Sequence, residues 1–243
     1  MCVTILLHNI VKNYPVILAN NRDELISRKF INPIFLCENP KIFGPKDLER
    51  GGTWLGINEH RIIVNVLNRY TGKTNFFGSK NFVSRGELVL ELLKFNSINK
   101  ILEKIKSLKL TDFLPFHLIT VSKEKAFLII KEDSIKIFDI SNKIFIIGNL
   151  DPFKKWEKYN FGYNFLKNCN FNNLTETIKN LKALLTFHKG DKSIPSTDYA
   201  VNLGDFQTTS SSIIYFNSKT IFKFFNGFPT KNSKYSRYEL NFR

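Results

Sequence analysis

The chain has 243 residues, 43% hydrophobic and 23% charged, with 36 Lys+Arg against 21 Asp+Glu and a formal charge of +15. That supports a sizeable buried core and excludes a mainly disordered chain. The charge invites nucleic acid or an acidic membrane surface, yet only eight of the basic residues are Arg, the side chain that reads bases and grips phosphate bidentately.

In chain order, Cys2–Leu7 is apolar and β-capable, and Pro15–Ala19 resumes the pattern after a polar turn, which predicts an antiparallel hairpin. Residues 32–52, rich in Gly, Pro and Asn, read as an irregular loop. Thr53–Asn58 and Arg61–Leu67 follow as strands. Ser84 and Glu87 have the spacing of a capping box before a helix over 84–96. Ser97 opens a second helix to Leu108, with Ile98, Ile101, Leu102 and Ile105 on one face. His117–Val121, Ala126–Ile130, Ser134–Ile140 and Lys143–Gly148 read as a four-strand meander. Helical pattern returns over Phe153–Cys169 and Asn173–His188, the latter capped by Asn173. Residues 189–205 read as a loop. Ser211–Phe216 and Thr220–Phe225 form a hairpin around Asn217-Ser218, and Lys234–Phe242 adds an edge strand. The order of strands, helices, strands, helices and strands, with no repeat and no linker, predicts one layered domain over residues 1–243.

The Lys are scattered along the whole chain, and with 24 Phe and many Asn and Ile they read as compositional bias. No specific nucleic-acid partner is expected, and the charge leaves room only for peripheral membrane contact. No apolar run approaches the roughly 18 residues a membrane helix needs, and the short run Val3–Leu7 gives no secretory signal. Cys2, Cys37 and Cys169 form no CxxC pair and give no metal spacing. A cytoplasmic, reducing location is the expectation.

Cys2 is chemically special by position. Removal of Met1 would leave its thiol beside its own α-amine, whose pKa of about 7.7–8.0 suits a general base at neutral pH. A small apolar residue on a buried strand is the competing reading. Asp23, at the end of the second hairpin strand, is placed to orient that amine, although Asn21-Arg22-Asp23-Glu24 also reads as an exposed polar turn. Gly51-Gly52-Thr53-Trp54-Leu55-Gly56 marks a sharp bend entering a strand, with Trp54 either a pocket wall or core. Asn68 and Asn149 each end a strand, as oxyanion donors or as plain turn formers. The four His show no metal-ligand spacing.

Met1-Cys2, Asn21-Arg22-Asp23-Glu24, the Gly51–Gly56 segment, Asn68-Arg69 and Arg85-Gly86-Glu87-Leu88 occur in an order that resembles the NRDE proteins, the transport and Golgi organization protein 2 family. The resemblance implies an α+β fold of N-terminal-nucleophile type, a four-layer αββα sandwich. It also implies kinship with cysteine-type amide hydrolases such as penicillin V acylase and bile salt hydrolase. On that basis Cys2 is the nucleophile, Asp23 contacts its amine, and Asn68 and Asn149 match oxyanion-hole and amine-orienting groups. Arg22, Trp54 and Thr209 are the substrate-binding candidates. The chain departs from the pattern twice. Asn20 stands where the hydrolases have Arg three residues before the Asp, and Thr209 stands at the Arg of the family's Gly-Thr-Arg-Ser. Arg22 is the only cation near Asn20, and the loss at Thr209 removes a guanidinium that lowers the Cys2 thiol pKa or holds a substrate carboxylate.

Two functions follow. The first is hydrolysis of a non-peptide amide bond of a small-molecule substrate, with no cofactor. The second, drawn from the family's link to haem handling and from the Phe-rich, basic composition, is non-enzymatic binding or trafficking of haem or a lipid-like ligand.

Overall fold

The computed structural model describes residues 2–72, 82–193 and 196–242. The chain forms two compact units, residues 2–27 with 142–241 and residues 28–141 with 242, so the first is interrupted in sequence by the second.

The first unit contains β1 (Val3–Val11), β2 (Tyr14–Leu25), β10 (Ile144–Ile147), α3 (Glu157–Lys167), α4 (Leu174–Leu185), β11 (Asn202–Leu203), β12 (Phe206–Phe216), β13 (Thr220–Asn226) and β14 (Ser236–Leu240). Its antiparallel sheet runs β10-β1-β2-β12-β13-β14, with β11 on β12. The predicted hairpins β1/β2 and β12/β13 both form, and β14 is the edge strand foreseen at the C-terminal end. Side chains at every second position (Val3, Ile5 and Leu7; Ile17 and Ala19; Ile213 and Tyr215) pack against Leu166 of α3 and against Ile178, Leu181 and Leu185 of α4. The pairing of a two-residue period with a helical one is what fixes the layer. Each fully buried Leu or Ile there contributes about 1.5–3 kcal/mol. The Asn173 side chain caps α4 by accepting the Glu176 N–H at 2.8 Å, as its spacing predicts.

The second unit holds β3 (Phe30–Glu38), β4 (Lys41–Asp47), β5 (Leu55–Asn58), β6 (Ile63–Asn68), α1 (Arg85–Leu92), α2 (Ile98–Lys106), β7 (Phe116–Val121), β8 (Ala126–Lys131) and β9 (Ile135–Asp139). Its antiparallel sheet follows chain order from β3 to β9, and Leu88, Leu92, Ile101 and Ile105 pack helices α1 and α2 on Val64, Leu118 and Ile129.

Three expectations are corrected. Residues 32–52 are mainly strand, because β3 lies at the sheet edge and takes up Pro33 at a register shift between Ile31 and Ile34, while β4 pairs with β5 only at Ile42 and Phe43, which leaves Pro45 outside that ladder. The meander ends at β9, since β10 pairs with β1. Ser84 precedes α1 without a side-chain cap, its carbonyl taking the Glu87 N–H instead.

Gly51 and Gly52 serve different needs. Gly51 has φ +72°, a left-handed turn. A Cβ on Gly52 would lie 2.2 Å from the Gly86 carbonyl carbon, so only glycine lets the start of α1 meet the segment before β5. The Thr53 N–H completes that contact by donating to the Gly86 carbonyl at 3.1 Å. Two of the sequence motifs thus meet backbone to backbone.

Candidate active site at Cys2

β1 opens directly after Cys2, and its register with β2 sets Val3 opposite Asn21. β2 therefore runs on past the start of the chain, and Asp23 reaches Cys2. The Asp23 N–H donates to Cys2 Sγ at 3.3 Å, and Sγ lies 3.5 Å from the Asp23 carbonyl oxygen. Asp23 is buried, and its Oδ1 accepts the Thr208 hydroxyl at 2.6 Å.

The neighbouring residues of β2 each tie the strand to something else. Asn20 Nδ2 donates to the Val3 carbonyl at 3.1 Å and to Thr4 Oγ1 at 3.0 Å. Asn21 Nδ2 donates to the carbonyls of Leu185 at 2.8 Å and Tyr199 at 3.0 Å, anchoring the end of α4 and the loop beyond it. Arg22 is buried, donates to Thr209 Oγ1 at 3.0 Å and stands 3.8 Å from the Glu24 carboxylate. This is no exposed polar turn.

Cys2 lines a cavity of about 200 Å³ with Asn149, Trp156, Lys158, Ser196 and Thr197. Tyr159 sets the wall that carries Asn149: its Oη accepts the Gly148 N–H at 2.8 Å and donates to the Leu150 carbonyl at 3.1 Å. The described residues of the loop that brings Ser196 and Thr197 to the cavity are held by two carboxylates. Fully buried Asp198 accepts the N–H groups of Lys189, Gly190 and Asp191 at 2.8–3.0 Å and stands 2.9 Å from His188 Nδ1. Asp191 accepts the Thr197 N–H at 2.6 Å and its hydroxyl at 2.7 Å, bonds that hold the Asp191 carboxyl well below the usual range.

Burial, then the Asp23 carboxylate, push the Cys2 thiol up to about 11, against the lowering effect of the Asp23 N–H bond. The pocket thus disfavours a standing thiolate.

Cys2, Asp23 and Asn149 therefore come together, with Arg22 and Thr209 paired behind Asp23. Trp54 and Asn68 belong to the other unit. Trp54 is buried there, edge to face with Phe30 at 5.3 Å, and Asn68 ends β6 opposite Phe116. Sequence reasoning passed over Lys158, Thr208 and the Asp198–His188 pair. Lys158 is one Lys among many, and only its position two residues after Trp156, in a helix's first turn, sets it apart. No group of three or more His, Cys, Asp or Glu among the described residues is placed to hold a metal.

The fold is that of the N-terminal-nucleophile hydrolases, shown by three solved structures. An alanine-for-cysteine variant of the conjugated bile acid hydrolase of Clostridium perfringens matches with TM-score 0.64 and 12% identity, over 100% of this chain and 93% of that one. The N-acylethanolamine-hydrolyzing acid amidase ortholog of Caenorhabditis elegans matches with TM-score 0.64 and 15% identity, over 88% and 92%. A leucine-for-arginine variant of the Clostridium hydrolase gives TM-score 0.62 and 12% identity, over 99% and 94%. The chain itself belongs to the Transport and Golgi organisation 2 family, whose model matches residues 1–232. Curated protein sequences give no match. No helix among the described residues is long and apolar enough to cross a membrane.

Proposed function

We propose that the chain is a cysteine-type amidohydrolase that cleaves a non-peptide C–N bond of a small molecule. The observation that carries the reading is the 3.3 Å bond from the Asp23 N–H to Cys2 Sγ beside a cavity that also holds Asn149. Once Met1 is removed, the Cys2 α-amine takes the thiol proton as Sγ attacks the amide carbonyl carbon. Asn149 donates to the oxyanion. The C–N bond then breaks, the proton leaves with the amine, and the acyl group remains on Sγ as a thioester. Water gives a proton to the α-amine and attacks the thioester carbonyl. The S–C bond breaks, the thiol regains its proton, and a carboxylic acid leaves. A cavity of about 200 Å³ fits the reacting end of such a substrate, whereas whole drug-sized ligands fill roughly 300–1,000 Å³.

The test is intact mass followed by trapping with activated N-acyl amides. The expected result is a chain lacking Met1, an acyl adduct on Cys2, and turnover about 10⁴-fold lower in Cys2→Ser. A mature chain that keeps Met1 has no free Cys2 amine, and the mechanism fails.

A further inference from the structure

Lys158 sits where neither helix nor interior favours a lysine. It is the second residue of α3, where the helix dipole repels a cation, and it is 6% exposed. Burying an ammonium is costly unless the site gives something back. Burial indeed draws its pKa down, opposed in order by Asp23, Cys2 and Asp198.

The charged and titratable groups around it come from each packed element. They are Asp23 on β2, Cys2 ahead of β1, Asp198 in the loop after α4, and Tyr199, whose ring centroid lies 5.3 Å from Lys158 Nζ. The Tyr199 hydroxyl also donates to the Lys158 carbonyl at 3.0 Å, which pins the first turn of α3. Both carboxylates already have other donors: Thr208 at Asp23, and three backbone N–H groups with His188 at Asp198. The Cys2 thiol lines the same cavity as Lys158.

We propose that Lys158 is the positioning cation of this cavity, holding the sulfur's negative charge as Cys2 reacts. It rests on the reading of Cys2 as nucleophile and supplies the positive charge that Asn20 and Thr209 lack.

The experiment measures alkylation of Cys2 by iodoacetamide between pH 7 and 10, resolved by peptide mass spectrometry, with Cys37 and Cys169 as internal references. Lys158→Met is expected to slow Cys2 by about tenfold at pH 8, the ratio that one pH unit in thiol ionisation makes. Lys158→Arg is expected to restore most of the rate, and the reference cysteines to stay unchanged. A folded Lys158→Met protein, checked by its melting curve, that alkylates at the wild-type rate overturns the proposal. Should that variant not fold, the wild-type protein decides. Anionic iodoacetate must gain on neutral iodoacetamide at Cys2 relative to Cys37, and an equal or lower ratio is equally fatal. The two readings fail separately. Loss of amide turnover in Cys2→Ser with no effect of Lys158→Met on alkylation sinks only this one, and a Lys158-dependent thiol without amidase activity sinks only the hydrolase.

Discussion

Thr208 and Asp23 face each other across β12 and β2, and the Thr208 hydroxyl donates to the Asp23 carboxylate at 2.6 Å. The register shifts immediately beyond them, between Thr208 and Ser210, so Thr209 is the extra residue of a bulge. Without it Thr209 would be the next ladder partner. The bulge instead frees its side chain to meet Arg22.

Thr208 is fully buried, and its Oγ1 also accepts the Val201 N–H at 2.9 Å. Thr208→Val keeps the shape but leaves that N–H unpaired and takes a donor from a carboxylate. The expected loss is about 2–4 kcal/mol, against under about 1.5 kcal/mol for Thr208→Ser, which keeps the hydroxyl. Denaturant unfolding separates the two, and equal losses would show that the hydroxyl is idle.

The Cys2 thiol sets a sign for pH dependence. Its folded pKa of about 11 lies above its ordinary value of 9.0, so its contribution to stability is full below pH 9 and is lost as pH rises through 11. The stability of the wild-type chain relative to Cys2→Ala should therefore fall between pH 8 and pH 10. Asp23→Asn removes the second cause of the upward shift while Oδ1 still accepts from Thr208. Cys2 alkylation at pH 8 is expected to quicken by about 2- to 10-fold. An unchanged or slower rate would mean that the carboxylate does not act on the sulfur.

The hairpin that brings Asp23 to Cys2 was legible because both strands are continuous apolar runs joined by a polar turn. The order of the helices was equally plain from Asn173 and Ser97, both of which cap as their spacing predicts. Other features were not local. Pro33 and Pro45 argue against strand in any window, and only the edge position of β3 and the short β4/β5 ladder make them tolerable. β10 has nothing in its own sequence that selects β1. Lys158 was invisible because composition hides one buried lysine among many exposed ones.

Gly52 before β5 and Gly86 in α1 give a contrast across one close approach. Gly52→Ala drives a Cβ to 2.2 Å from the Gly86 carbonyl carbon and 2.5 Å from the Glu87 nitrogen, both backbone, so α1 must move. Gly86→Ala meets Thr53 N at 3.1 Å, a squeeze of a few tenths of an ångström, while gaining about 1 kcal/mol of helix propensity. Gly52→Ala should cost more than about 3 kcal/mol, at or beyond the usual range for overpacking, and Gly86→Ala should be close to neutral. Similar unfolding midpoints for the two variants would refute the close approach.

Gly162 and Tyr199 make the same argument at the cavity's supporting helix. A Cβ on Gly162 would fall 1.9 Å from Tyr199 Oη and 2.8 Å from Ile146 Cδ1. Tyr199 is fully buried, and its hydroxyl holds the Lys158 carbonyl. Gly162→Ala gains about 1 kcal/mol from propensity but must push out a ring that cannot leave the core. A net loss of about 1–3 kcal/mol is expected, with Cys2 alkylation altered because the first turn of α3 carries Lys158. Tyr199→Phe alone loses one buried hydrogen bond, about 1 kcal/mol. Combined, the missing hydroxyl makes room for the added methyl, so the double variant should be more stable than the sum of the single losses by about 1 kcal/mol or more. Additive losses in the double-mutant cycle would place the strain elsewhere than between these two residues.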